Sequence, residues 1–209
     1  MHFYKVSISV YNMSLFLNIS SHTESYGEEK MKKILALLAL SLIATSAVAH
    51  GPTPQKVEKS ITIKADPAKV WALVEDFGNM QKWHPAIVAD KMEQKKDETG
   101  AMATFRTLSL KGGGTIVEKL RSANDADMKL KYEIVSSPLP FTDYNSTMTV
   151  TKGPAAGETT VTWVGRFYRI YKLNPPIPEG QDDATAVAAV TGIYDSGLAN
   201  LKKVLESSK

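Results

Sequence analysis

Beyond residue 55, the order of apolar and polar positions predicts a strand, a short helical segment, a run of strands and a long helix. Apolar and polar side chains alternate from Val57 to Ala65, which is typical of a strand. Asp66 suits a helix N-cap and Pro67 the first helical position, and Gly78 is predicted to end this helix. A second short helix is expected before Trp83. The apolar face of the first helix is formed by Val70, Leu73, Val74 and Phe77.

Six further runs predict a meander of antiparallel strands, because most of them alternate with period two and turn residues separate them. The predicted strands are Ile87–Lys95, Ala101–Leu110, Thr115–Arg121, 128–134, 144–150 and Glu158–Tyr171. In the last of them, Val161, Trp163, Gly165 and Phe167 share one face.

A glycine-rich hairpin at Lys111–Gly114 allows a prediction of register. If the turn is centred near Gly112, residues whose numbers add up to about 224 face each other. Leu108 then faces Ile116, and Arg106 faces Glu118. The apolar members make this the inward face of the sheet, so the sequence predicts an inward pair of opposite charges.

The chain ends in a long amphipathic helix. Three prolines exclude a helix through Asn174–Gly180, and Asp182 or Asp183 is predicted to cap a helix from Ala184 to Glu206. Its apolar stripe comprises Val187, Val190, Thr191, Tyr194, Leu198, Leu201 and Leu205. These elements predict an α+β fold: a curved antiparallel sheet wraps around the C-terminal helix, with two short helices after strand one. The domain is expected over 56–209, after an irregular lead-in at 50–55.

The N-terminal part has the organisation of a secretory signal peptide. Met31-Lys32-Lys33 is followed by an apolar run from Ile34 to Ala44 and by the box Ala47-Val48-Ala49. A membrane anchor is the alternative, but the run is shorter than the ~20 residues that a spanning helix needs. We therefore expect 31–49 to be a signal peptide that is cleaved after Ala49, and the protein to be periplasmic.

Residues 1–30 precede this leader, although signal peptides begin at the initiator methionine. Gly27-Glu28-Glu29-Lys30 must be encoded by purine-rich codons, which resemble a bacterial ribosome-binding site just before Met31. Our hypothesis is that residues 1–30 are an upstream extension that is never or rarely translated.

The amino-acid composition excludes several kinds of site and partner. There is no cysteine, so disulfides, thiolate metal sites and cysteine nucleophiles are excluded. The net charge of +3 does not indicate a nucleic-acid partner, and no membrane span is expected after signal removal.

The order of the predicted helices and strands, together with the stretch from Asp66 to Pro85, resembles the START-like (SRPBCC) superfamily. This superfamily includes the polyketide cyclase/dehydrase and lipid-transport proteins. The resemblance extends from about Lys56 to Lys203 and implies the helix-grip fold, with a cavity for a small, mostly apolar molecule. Three stretches, 49–57, 165–168 and 188–194, resemble a periplasmic branch associated with methanol oxidation. That branch implies a quinoprotein methanol dehydrogenase as a partner.

Candidate ligand-binding residues follow from the predicted inward positions. Arg106 and Glu118 are predicted to anchor a polar group of a ligand, although a purely structural ion pair is the alternative. His84 is a candidate acid–base group or a hydrogen-bonded structural histidine, and both His84 and its neighbour Trp83 are candidate ligand-binding residues. Aromatic side chains with polar tips are expected to line the pocket, or to pack in the core: Tyr132, Tyr144, Trp163, Tyr168 and Tyr194.

No metal site or cofactor is predicted. His50 at a mature N-terminus could chelate copper, but nothing in the sequence brings His84 close to it. The loop Gly112–Gly114 lacks the residues of a phosphate loop, and no serine has a nucleophile-elbow pattern.

Three functions remain open from the sequence. The favoured one is a periplasmic START-like protein that binds a small hydrophobic or amphipathic ligand. The second is a cyclase or dehydratase that uses His84 with the Arg106–Glu118 pair, and the third is an accessory protein of a periplasmic dehydrogenase.

Overall fold

The computed structural model describes residues 51–207, which form one seven-stranded antiparallel sheet and two α-helices. The predicted upstream extension, the predicted signal peptide and His50 lie outside the described residues. The strands are β1 (Gln55–Ile63), β2 (Ile87–Lys96), β3 (Met102–Leu110), β4 (Thr115–Asn124), β5 (Lys129–Ser136), β6 (Phe141–Lys152) and β7 (Thr159–Arg169). The helices are α1 (Pro67–Val74) and α2 (Asp183–Ser207), with a single 3-10 turn at Met80–Lys82.

The sheet has the order β1-β7-β6-β5-β4-β3-β2. The first strand, β1, pairs with the last strand, β7, and β1 and β2 form the two edges. Register shifts in β2, β4 and β6 interrupt the ladder. Such irregularities bend strands and increase their twist. The long helix α2 packs against β1 and β7, which confirms the predicted α+β helix-grip arrangement.

The hairpin register is confirmed. Arg106 pairs with Glu118 and Leu108 with Ile116 across β3 and β4. The turn places Gly113 and Gly114 at φ values of 92° and 86°, a region that glycine adopts without steric cost. It is held by a hydrogen bond from the N–H of Leu110 to the carbonyl of Gly114 at 3.1 Å.

The first helix is shorter than predicted. Asp66 caps it as expected, because its carboxylate accepts a hydrogen bond from the N–H of Ala68 at 2.8 Å. The helix ends at Val74, however, and not at Gly78. The carbonyl of Phe77 accepts a hydrogen bond from Arg106 of β3 at 3.0 Å, a tertiary contact that has no counterpart in the helical pattern.

Other boundaries shift by a few residues. β1 begins at Gln55, inside the predicted lead-in, and ends at Ile63. β4 continues to Asn124, beyond its predicted end at Arg121, and β7 ends at Arg169, before its predicted end at Tyr171. The cap of α2 is Asp182, whose carboxylate accepts a hydrogen bond from the N–H of Thr185 at 2.7 Å. No helix in residues 51–207 is long and apolar enough to cross a membrane.

Candidate functional site

A cavity of about 310 Å³ lies between the inner face of the sheet and α2. This volume is at the lower end of the range for small-molecule pockets. Most of its wall is apolar and comes from β3 to β6, the loop before β6 and α2. These apolar residues are Leu108, Leu110, Ile116, Ile134, Leu139, Phe141, Val190 and Ile193.

The β3–β4 turn forms one end of the cavity. Lys111, Gly112 and Gly113 line it and are themselves exposed, so the cavity reaches the surface here. The N–H of Lys111 donates to the carbonyl of Ala86 at 2.9 Å, which ties the turn to the segment before β2. The cavity is therefore accessible to a small molecule beside this turn.

Arg106 and Glu118 form a buried ion pair, with exposed fractions of 3% and 4%. The guanidinium contacts Oε2 of Glu118 through both Nε, at 2.6 Å, and Nη2, at 2.5 Å. Its Nη1 donates to the carbonyl of Phe77, and its Cζ lies 4.1 Å from the centroid of the Phe77 ring and 5.0 Å from that of Tyr132. The pair is thus enclosed by two aromatic rings and a backbone carbonyl.

Only one member of this pair lines the cavity. Glu118 is part of the wall, whereas Arg106 lies behind it and is not. The expectation that both charges face the ligand therefore fails for Arg106, because Phe77 and Glu118 occupy its guanidinium. Burial raises the pKa of the Glu118 carboxyl, and the positive charge of Arg106 opposes that rise.

Asp90 is a third buried charge that the sequence did not single out. Its carboxylate is fully buried, and Oδ2 lies 3.9 Å from Nη1 of Arg106 and accepts the N–H of Met80 at 3.1 Å. The register shift between Ile87 and Ala89 precedes Asp90 on β2, so strand alternation could not have assigned its face. Burial raises the pKa of Asp90 as well.

His84 lines the cavity but is held by backbone groups on both sides of its ring. Nδ1 accepts the N–H of Ala86 at 3.3 Å, so Nε2 carries the proton and donates to the carbonyl of Ile193 at 3.2 Å. Burial, with a smaller contribution from the positive charge of Arg106, lowers the pKa of His84 to about 4, although the hydrogen bond to the Ile193 carbonyl opposes this shift. The imidazole is therefore neutral at neutral pH.

Three of the predicted tyrosines meet at the cavity. Tyr132, Tyr144 and Tyr194 line it, and the hydroxyl groups of Tyr144 and Tyr194 are hydrogen-bonded to each other at 2.5 Å. Gly165 on β7 makes room for this pair, since a β-carbon there would overlap the Tyr194 hydroxyl. Burial raises the pKa of all three phenols, so they stay protonated at neutral pH.

Trp163 also lines the cavity, and its ring stacks on Tyr194 with centroids 4.2 Å apart. Its indole N–H donates to Oγ of the buried Ser146 at 2.8 Å. Ser146 comes from β6 and Trp163 from β7, so this hydrogen bond depends on the pairing of the two strands in the folded sheet.

Two predicted site residues lie elsewhere. Tyr168 alternates with the inward residues of β7 and is half-buried on the opposite face of the sheet. Trp83 is buried with its ring centroid 5.7 Å from those of His84 and Trp163, but it does not line the cavity. Its ring packs against those of His84 and Trp163.

Residues 54–206 match the model of a family described as polyketide cyclase/dehydrase and lipid transport. The chain belongs to this family. No curated protein sequence matches it closely.

Solved structures of related proteins have the same fold. The protein XoxI of Bacillus cereus is 29% identical, with a TM-score of 0.58 over 72% of this chain and 95% of its own. A START superfamily protein of Mycobacterium smegmatis is 13% identical, with a TM-score of 0.54 over 74% and 99%. The Zhui aromatase/cyclase of Streptomyces sp. R1128 is 16% identical, with a TM-score of 0.57 over 74% and 94%. The fold is thus START-like, and membership of the family suggests a ligand-binding or cyclase-type function.

Proposed function

We propose that the protein binds a small, mainly apolar or amphipathic molecule in this cavity and carries it without converting it. The observation that supports this most directly is an apolar cavity of about 310 Å³ with a few polar groups converging on it. Binding pockets for small molecules generally combine an apolar wall with a few placed polar groups. Family membership agrees with this assignment.

The arrangement of His84 argues against the alternative of a cyclase or dehydratase that uses this residue. A general acid or base must present a free nitrogen to the reacting atom, with a pKa near the operating pH. Both ring nitrogens of His84 are bonded to backbone groups, and its pKa of about 4 keeps it neutral. Arg106 is likewise occupied by Glu118 and Phe77.

Ligand binding is tested with two tryptophan substitutions at adjacent positions of β5. Ile134 lines the cavity, whereas Val135 is exposed on the other face of the strand. A neutral fluorescent probe for apolar sites should bind the wild type and the Val135→Trp variant alike. It should bind Ile134→Trp at least tenfold more weakly, because the indole fills the cavity.

Native mass spectrometry of protein purified from its source would identify a carried molecule. Equal probe affinity in both tryptophan variants, or no probe binding by the wild type, would contradict the proposed cavity function.

We further propose that the protein is exported and that its mature form begins at His50. The support is the leader at 31–49 with its Ala47-Val48-Ala49 box. The intact mass of the protein in a periplasmic fraction tests this proposal. A mass that starts near Met1 or Met31 in that fraction would contradict cleavage after Ala49.

A periplasmic dehydrogenase remains a proposed partner, based on the three stretches that resemble the methanol-oxidation branch. One of them, 165–168, places Arg166 in an exposed position and Tyr168 half-buried on the outer face of β7. These side chains are accessible without disturbing the cavity. Sedimentation of the protein with a purified quinoprotein dehydrogenase from the same periplasm should show a complex that Arg166→Glu weakens, and unchanged sedimentation would contradict it.

A further inference from the structure

The sheet side of the cavity contains more negative than positive buried charge. Glu118 and Asp90 share the single guanidinium of Arg106, which contacts Glu118 directly and lies 3.9 Å from Asp90. Oδ1 of Asp90 is buried without a hydrogen-bond partner within residues 51–207. Two carboxylates against one cation leave this region short of positive charge and of hydrogen-bond donors.

Glu118 presents one of its oxygens without a protein partner. Both contacts from Arg106 reach Oε2, and no group in the described part of the chain donates to Oε1. Oε1 is also not completely enclosed by protein atoms. Glu118 lines the cavity, whereas Arg106 does not. The polar wall of the cavity therefore offers a hydrogen-bond acceptor with negative charge.

We propose that the ligand carries a protonated amine, which binds at Oε1 of Glu118 with its apolar part against the cavity wall. This assignment rests on the proposed function. An ammonium group would donate a hydrogen bond to Oε1 and add positive charge near two carboxylates that share one guanidinium. Aromatic side chains favour the same choice, because Trp163, Tyr132 and Tyr144 line the cavity and aromatic rings attract cations.

The competing possibility is an anionic ligand, such as a fatty acid, whose carboxylate stays at the mouth beside Lys111. Lys111 is the cation that lines the cavity within the described residues, and it is exposed to water. An exposed lysine attracts an anion weakly, because its charge is well solvated. An anion placed deeper would meet the carboxylate of Glu118.

The test compares three molecules with the same chain: octylamine, 1-octanol and octanoate. Each competes at pH 7 with a neutral fluorescent probe bound to the full mature protein. We expect octylamine to bind at least tenfold more tightly than octanoate, with 1-octanol between them. In Glu118→Gln, octylamine should lose at least tenfold in affinity while 1-octanol changes by less than threefold.

A second variant covers the case in which Glu118→Gln does not fold with Arg106 left unpaired. Arg106→Met combined with Glu118→Met and Asp90→Asn removes all three buried charges, so no unpaired charge remains. It should bind 1-octanol and show no preference for octylamine over that alcohol.

The outcomes separate the two proposals. If 1-octanol binds but octylamine is not preferred over octanoate, the amine assignment is wrong while the cavity function stands. Octanoate binding that Lys111→Gln weakens would overturn the amine assignment in favour of an anion at the mouth. If none of the three molecules displaces the probe, the cavity function fails and the amine assignment fails with it.

Discussion

The imidazole ring of His84 lies against the backbone of Gly197 in α2. A β-carbon at position 197 would be 2.6 Å from Cδ2 of the ring and 3.0 Å from Trp163. Glycine at this position allows α2 to approach the segment before β2. The same contact brings the carbonyl of Ile193 within reach of the His84 ring, so the helix position and the histidine geometry depend on each other.

Alanine at position 197 should therefore destabilise the protein, although alanine is the better helix former. We expect Gly197→Ala to lower the free energy of unfolding by about 1–3 kcal/mol, because overpacking displaces His84 and Trp163. Gly192 is the matched control, since it lies on the same helix with no atom within 4 Å of an added β-carbon. Gly192→Ala should raise stability by up to ~1 kcal/mol. Urea denaturation measures both, and an equal effect at the two sites would contradict the close packing.

Removal of Arg106 alone should be costly. Arg106→Met leaves Glu118 and Asp90 buried without a cation, and we expect a loss of about 3–5 kcal/mol in the free energy of unfolding. The double variant with Glu118→Met should recover part of this loss, because Glu118 is no longer an unpaired charge while Asp90 still lacks its cation. A double-mutant cycle from urea unfolding measures the coupling, and additive losses would show that the pair is not coupled.

His84 should make stability fall at acidic pH. Its pKa is about 4 in the folded protein and ~6.5 when unfolded. Between these values the unfolded chain binds a proton that the folded protein does not. The contribution of His84 to the free energy of unfolding is therefore fully present above about pH 7. It is lost as the pH falls toward 4, by up to about 3 kcal/mol.

The variant His84→Asn isolates this effect from the other titrating groups. The difference in unfolding free energy between pH 7 and pH 4.5 should be smaller in the variant than in the wild type. NMR titration of the wild-type ring gives an independent readout, and a pKa near 6.5 would contradict the buried, neutral histidine.

The hydrogen bond between Ser146 and Trp163 should also contribute to stability. Ser146→Ala leaves the buried indole N–H without its acceptor, and we expect a loss of about 1–3 kcal/mol. Ser60→Ala is a suitable control, because Ser60 bonds to Thr162 at an exposed site and should cost less than about 0.5 kcal/mol. Thermal and urea unfolding compare the two, and equal losses would show that burial of the indole adds nothing.

Local patterns were sufficient for much of the architecture. The register of Arg106 against Glu118 could be predicted because a hairpin is closed by its own turn, and the residues of that turn are adjacent in sequence. Inward faces such as Val161, Trp163, Gly165 and Phe167 follow from the two-residue period of a strand. The same period places Tyr168 on the opposite face of β7, away from the cavity, although its polar-tipped ring makes it a candidate pocket residue.

The site itself depended on contacts between distant segments. Arg106 lies behind Glu118 because Phe77, which follows α1, occupies its guanidinium. Asp90 joins them after a register shift on an edge strand that alternation cannot reveal. His84 is held in place by a carbonyl from a helix more than a hundred residues away in the chain, and its burial beside that helix keeps the ring neutral.

The sequence by itself determined which elements form, their order, the hairpin register and most inward faces, because each depends on neighbours a few residues apart. The tertiary structure decided that a cavity remains beside α2, that only Glu118 of the charged pair reaches it, and that His84 is neutral. These properties depend on how sheet curvature and helix position combine, and on the desolvation that results from them. Neither quantity is contained in a local pattern of residues.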